Sequence, residues 1–419
     1  MMEVKVRHDM VPVLPAMGPN GTCPACGDAH LLPLGTVFPG MHVLGRYRCG
    51  ACGITFLRDL PVGHAVSHPV TLGADGAPLG SDRPPVWLVE PLVEAFARPA
   101  EGEVRIERRV YREARRVVVL NTLDFLYGHV LLKLYNALHY IDRHPDLGLV
   151  VILPRMYAWL IPDGCAEAWI VDLGLGRLQG WYPAIDRFVQ ERIATYDEVH
   201  LARAYSHPDV SGLDLGRFTR VAPFPVERFD ELPPHVTFVA RQDRLWYRGP
   251  VWRFMHRVVR RLGLAGVPGR FFPADQDRLM RRTMALLRRQ VPGVTFSVVG
   301  LGRATRWGAG VEDLRTQRMD TATETAWCRA YARSQVTVGV HGSNMLLPTA
   351  LCAGCVEIMP RERLENLAQD ISVRYADRLQ LFMYRFVDEY AGPRDVARQV
   401  ASMFRDHRHY RRNNLENIL

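Results

Sequence analysis

A chain of 419 residues that is 48% apolar can bury a core in each of two ordinary domains with a small accessory module besides, which excludes a disordered chain. The formal charge is +9, yet only Lys5 and Lys133 are lysines, so 51 of the 53 basic residues are arginine; a bias of that breadth follows the base composition of the coding DNA, and with no dense basic run interleaved with aromatics outside Arg405–Arg412, read as a solvated terminal face, nucleic acid is set aside as a partner. No window reaches the about 18 uninterrupted apolar residues of a membrane span, and the first nine residues hold no apolar leader core, so the expected location is the cytoplasm.

The first elements in the chain are two knuckles, Cys23-x-x-Cys26-Gly27 and Cys49-x-x-Cys52-Gly53, with 22 residues between Cys26 and Cys49. Each turn aims two thiolates at one ion, the glycines permit the tight backbone, and four thiolates close a tetrahedral site with no position left for substrate. The expectation is a zinc ribbon over residues 1–60 with a structural zinc; the same four thiolates also suit a single iron. Short strands are expected within 37–47 and 54–57. His64 and His68 read as loop residues or an interdomain contact, and the module as a possible docking point for a protein partner. The other cysteines, Cys165, Cys328, Cys352 and Cys355, lie in apolar or helical contexts, which fits a reducing compartment.

Residues 61–110 are rich in proline and glycine and read as a connecting region with one short helix at 91–96. Beyond it the pattern alternates: strand 116–120, helix 127–143, strands 149–153 and 168–172, and helix 181–193. A second series follows, with strand 236–240, helices 251–262 and 274–290, strand 294–299, helix 323–334, strand 336–340, helix 344–351 and strand 356–359. A last helix is expected at 394–404. The fold class is therefore α/β, two Rossmann-like domains at 111–235 and 236–419 behind the metal module.

Chemistry gathers at two strand ends. The strand 236–240 runs into Arg241 and Arg244, and the strand 336–340 into His341-Gly342-Ser343-Asn344 at the start of a helix. Strand carboxyl ends and helix N-termini are where doubly wound sheets hold anions, so the two sets together suit a diphosphate. Glu357, on the following strand, is placed to accept from sugar or ribose hydroxyls. Asp275 and Asp277 imitate a metal-binding pair but read as the cap of the helix at 274, and no metal is assigned to them.

The string Gly339-Val-His-Gly-Ser-Asn-Met-Leu-Leu-Pro348, with Val356-Glu-Ile-Met-Pro360, resembles the His-Gly-Ala-Gly-Leu…Glu pattern of family 61 glycosyltransferases. Leu126-Tyr-Gly-His-Val-Leu-Leu-Lys-Leu-Tyr135 is similar to that family's Asn-Tyr-x-His-Phe helix. The resemblance implies a GT-B fold, two Rossmann-like domains enclosing a cleft, and inverting transfer from a nucleotide-sugar donor to a glycan, protein or metabolite. It puts His129 on the acceptor side. Ser343-Asn344-Met345 departs from the usual Ala-Gly-Leu, and no secretory anchor is read. An inverting transfer needs a base and positive groups for the leaving diphosphate. His129 or Asp124 is the candidate base; Arg241, Arg244, Gly342, Ser343 and Asn344 are the donor site; His341 contacts phosphate or assists the base. The rivals are a serine-type hydrolase built on His341-Gly342-Ser343 and a non-catalytic protein that binds a nucleotide or a partner. No Gly-x-Ser-x-Gly elbow, completed Gly-x-Gly-x-x-Gly or Walker lysine is present.

Overall fold

Runs rich in Val, Leu and Ile, closed by polar turns, form most of the inner strands of two largely parallel sheets. The computed structural model describes residues 8–80, 84–264, 267–367, 369–376 and 378–414. The stretch 1–7, which carries most of the leader reading, lies outside them. The chain separates into two compact units, residues 1–208 and 209–419.

In the first unit the strands are β1 (Met10–Leu14), β2 (Leu31–Val37), β3 (Leu44–Cys49), β4 (Thr55–Asp59), β5 (Thr71–Gly73), β6 (Ile106–Val110), β7 (Arg116–Asn121), β8 (Gly148–Pro154), β9 (Glu167–Val171) and β10 (Glu198–Ala202). Its helices are α1 (Val86–Ala97), α2 (Tyr127–Arg143) and α3 (Pro183–Ile193). Strands β2 to β5 make an antiparallel sheet that carries the cysteine knuckles at its end. The other six take the order β1-β10-β7-β8-β9-β6, parallel from β10 to β9 and antiparallel at both edges. Chain order runs from β7 outward through β8 to β9, then returns to the far side of β7 with β10, so the order reverses between β7 and β10. Helix α2 occupies the limits its pattern predicts and is buried on nearly every side. The supposed connecting region is structured: β5 extends the small sheet, α1 packs Leu92 on Val37, Leu44 and Leu57, and β6 pairs with β9.

The second unit holds α4 (Gly216–Thr219), β11 (His235–Ala240), α5 (Pro250–Arg261), α6 (Val267–Gln290), β12 (Thr295–Gly300), β13 (Val311–Asp313), α7 (Thr321–Ala332), β14 (Val336–Val340), α8 (Leu346–Leu351), β15 (Gly354–Met359), α9 (Leu379–Met383), β16 (Tyr384–Asp388) and α10 (Pro393–Asn414). All six strands are parallel in the order β13-β12-β11-β14-β15-β16, the order of a doubly wound dinucleotide-binding sheet. Its reversal lies between β11 and β14. Phe238, Phe296, Val298, Val338, Val356 and Ile358 fill the core, each contributing about 1.5–3 kcal/mol by leaving water.

Two expectations are corrected. Asp275 and Asp277 do not cap a helix, because α6 starts at Val267 and continues through Pro273; Asp277 is instead buried against Arg315 at 2.8 Å. The helix read from Asn344 is a 3-10 turn over Ser343–Met345 followed by the short α8. The tail 405–412 is the end of α10; Arg405, Arg408 and Arg412 are exposed, as a solvated face requires, while His407 is fully buried and stacks on Phe229 at 4.1 Å. Among the described residues no helix is long and apolar enough to cross a membrane.

Candidate functional site

The four knuckle cysteines converge. Their Sγ atoms all lie within 4.8 Å of one another, with Cys23–Cys52 and Cys26–Cys49 at 3.6 Å. A zinc with about 2.3 Å bonds needs tetrahedral sulfurs about 3.8 Å apart, so the cluster fits such an ion. Gly27 and Gly53 take φ +77° and +75° and donate to the carbonyls of Cys23 and Cys49 at 2.9 and 3.0 Å, which closes each knuckle.

At the β7–β10 reversal of the first unit, the loop after β7 places Asp124 with no exposure at all. Its Oδ2 accepts from Lys133 Nζ and lies on His64 Nε2, both at 2.8 Å, and its Oδ1 accepts from the Leu126 N–H at 3.1 Å. His129 Nδ1 stands 3.4 Å from Oδ1 and its side chain is 17% exposed, the open member of the group. The His64 and His129 rings are 4.6 Å apart, and His207 approaches His129 at 5.4 Å. Burial raises the Asp124 pKa, but the Lys133 charge and the two histidines outweigh it and hold the carboxyl well below the usual range. Burial pushes the His64 pKa down to about 4, against the pull of Asp124. Asp124, His64 and His129 have the spacing of a metal triad, yet Lys133 already supplies a cation on the same oxygen.

At the β11–β14 reversal of the second unit, Gly342 follows His341 with φ +146°. A Cβ there would sit 2.6 Å from Nη1 of both Arg241 and Arg244, so only glycine lets the two guanidinium groups close over the turn. Arg244 donates to the His341 carbonyl at 2.7 Å, and Arg241 donates to Asn344 Oδ1. The Arg241 fork also grips the exposed Asp243, with Nε at 2.9 Å. Burial, followed by the charges of Arg241 and Arg363, lowers the Arg244 pKa, the mark of a locally positive site. Asn344 Nδ2 is buried with no hydrogen-bond partner among the described residues.

The structure therefore brings Arg241, Arg244, Gly342 and Asn344 together, with half-buried Ser343 beside them, and joins Asp124 to His129. It withdraws two candidates from direct contact with a ligand. His341 and Glu357 are both fully buried, and His341 Nδ1 bonds Glu357 Oε2 at 2.5 Å while Nε2 meets the Asn366 carbonyl at 3.3 Å. Burial raises the Glu357 pKa against the opposing pull of His341. This pair braces the turn rather than meeting sugar or phosphate. Asp124 is likewise too deeply enclosed to take a proton from an acceptor. Two residues escaped the sequence reading. His64, read as a loop or interdomain residue, is a partner of Asp124. Lys133 had a signal available: a lysine kept in a chain that otherwise uses arginine.

No family model and no curated protein matches the chain. Among solved structures it is similar to the ADP-heptose lipopolysaccharide heptosyltransferase II of E. coli (11% identity over 70% of this chain and 99% of that one, TM-score 0.34). It is also similar to the E. coli heptosyltransferase WaaC with ADP (12%, 70% and 98%, TM-score 0.38). A third likeness is to the iron-containing heptosyltransferase TibC in complex with ADP-D-beta-D-heptose (13%, 60% of each chain, TM-score 0.28). At these values the likeness transfers neither residues nor substrates to this chain.

Proposed function

We propose that the chain is an inverting glycosyltransferase that moves a hexosyl or pentosyl group from a nucleotide-sugar donor to a hydroxyl of a glycan, protein or metabolite. The observation that carries the reading is the closure of Arg241 and Arg244 over the Gly342 turn at the β11–β14 reversal. That is where a doubly wound sheet binds nucleotides, and two guanidinium groups match a diphosphate. The unengaged Asn344 Nδ2 adds a donor for a phosphate oxygen, and phosphate displaces Asp243 from the Arg241 fork. As the sugar–phosphate bond breaks, charge grows on the diphosphate and the arginines stabilise it. The first unit supplies the base. His129 takes the acceptor proton, and Asp124, held ionised by Lys133, orients the ring and stabilises its charge. The family 61 likeness of the residues around His341 and His129 supports the same assignment.

Cys23, Cys26, Cys49 and Cys52 hold a structural zinc in this reading, which closes the knuckles and takes no part in transfer. The hydrolase alternative loses support, because both ring nitrogens of His341 are engaged and Ser343 has no base from it.

Calorimetry of the protein against UDP, GDP, CMP and ADP sugars tests the proposal. One nucleotide series is expected to bind, and Arg244→Ala to weaken it about 10- to 100-fold through loss of charge-assisted hydrogen bonds. Failure of all four series, or equal binding by Arg244→Ala, overturns it; binding with no transfer to any acceptor returns the non-catalytic reading. Elemental analysis is expected to find one zinc per chain, absent after Cys26→Ser with Cys49→Ser.

A further inference from the structure

Helix α5 has two faces that would each serve as a core face, and among the described residues only one is covered. Trp252 and His256 point inward: His256 is buried, shares a hydrogen bond with the Tyr247 hydroxyl at 2.7 Å, and packs on Phe272 at 4.5 Å, with Trp252 5.3 Å from the same ring. The other face carries Val251, Phe254, Met255 and Val258 at i, i+3, i+4 and i+7, continued by Leu262 just past the helix. These five side chains are 37–70% exposed. Leu264 and Phe271 are exposed nearby as well. Single exposed apolar residues are ordinary; a stripe at helical spacing marks an interaction surface.

Charge identifies what covers it. From Arg244 to Ala274 the chain carries Arg244, Arg248, Arg253, Arg257, Arg260, Arg261 and Arg270 and not one Asp or Glu. Arg253 is committed to Glu362 and Glu389. Arg257 and Arg261, both exposed, fall along one border of the apolar stripe at helical spacing. A second copy meeting this face across a twofold axis would set arginines against arginines with no carboxylate of this segment between them. A surface that is apolar inside and anionic at its boundary satisfies both halves of the face at once.

We infer that α5 docks on an anionic lipid surface, lying in the headgroup plane with Phe254, Val258 and Leu262 in the acyl boundary and Arg257 and Arg261 on lipid phosphates. The inference rests on the helix alone and is independent of the transfer reaction proposed above.

Co-sedimentation of the full chain with sucrose-loaded vesicles tests it, using phosphatidylcholine alone and phosphatidylcholine mixed with phosphatidylglycerol. Binding to the mixed vesicles is expected to exceed binding to the neutral ones by about tenfold or more and to fall as salt is raised. Phe254→Ser with Leu262→Ser, and separately Arg257→Glu with Arg261→Glu, are each expected to reduce it by about tenfold or more, with nucleotide binding and thermal melting unchanged. Absence of binding to the mixed vesicles overturns the inference. So does full binding by the serine pair, which would assign the attraction to net charge elsewhere on the chain. A concentration-dependent dimer that the serine pair dissociates, seen by light scattering without vesicle binding, identifies a second copy as the occupant and overturns it equally.

Discussion

At the β7–β10 reversal the charged groups are a carboxylate with no exposure and a lysine that is 1% exposed, both closed off beneath His129. At the β11–β14 reversal they are arginines gathered round a glycine turn, with an exposed aspartate in the fork of one of them. The same topological event has been furnished in opposite ways. Where charges neutralise each other inside the protein, they fix geometry and leave one histidine partly open, the one to which the proposed function gives the role of base. Where like charges are pressed together, the proposed function has an anion from outside complete the site. Topology fixes where chemistry is placed, and the balance of charge decides whether the place is finished or waiting.

The sharpest way to break this contrast is to remove the internal cation. Lys133→Met leaves Asp124 buried with its main positive partner gone, and the first unit is expected to lose about 3–5 kcal/mol in denaturant unfolding. A loss under about 1 kcal/mol would mean that the carboxyl is neutral or hydrated, and the closed character of this site would be wrong.

The next test uses pH. His64 has a folded pKa of about 4 against 6.5 unfolded, so it stays neutral in the native state while the unfolded chain takes up a proton. Its contribution is complete above pH 6.5 and is lost as pH falls toward 4, a cost of about 3 kcal/mol. Unfolding of wild type and His64→Asn across that window should show a shallower pH dependence in the variant. Parallel curves would remove His64 from the closed group. Asp124 acts in a lower window, because its depressed pKa withdraws stability only as pH drops below the ordinary aspartate range.

The smallest change aims at the open site. Gly342→Ala puts a methyl group in the left-handed region and against both guanidinium groups. Nucleotide affinity is expected to fall about 10- to 100-fold by calorimetry, with a modest loss of stability of about 1–3 kcal/mol from backbone strain. Unchanged affinity would show that the arginines do not need the closure.

Much of this arrangement was legible in the sequence because it is local. The limits of α2, the valine run of β14 with its glycine turn, and the two cysteine knuckles each depend on residues within one turn or strand. The edge strands β1 and β6 and the inner strand β10 were not read, since β6 is Ile-Glu-Arg-Arg-Val and β10 is Glu-Val-His-Leu-Ala, polar runs that become strands by pairing with a formed neighbour. His64 lies 60 residues from Asp124, and nothing in either segment names the other. The burial of the His341–Glu357 pair was hidden for the same reason: motif spacing locates residues on elements but does not say which of them face solvent.

Lys133 is the single lysine among the described residues, and it is enclosed. Among the described residues amine-directed reagents therefore find nothing to modify on the native surface, which leaves Lys5 and the N-terminal amine as the other targets of conjugation and crosslinking. Turned round, this gives the protein a built-in clock: the rate at which Lys133 becomes labelled measures how often the first unit opens, one residue at a time and without any engineered probe.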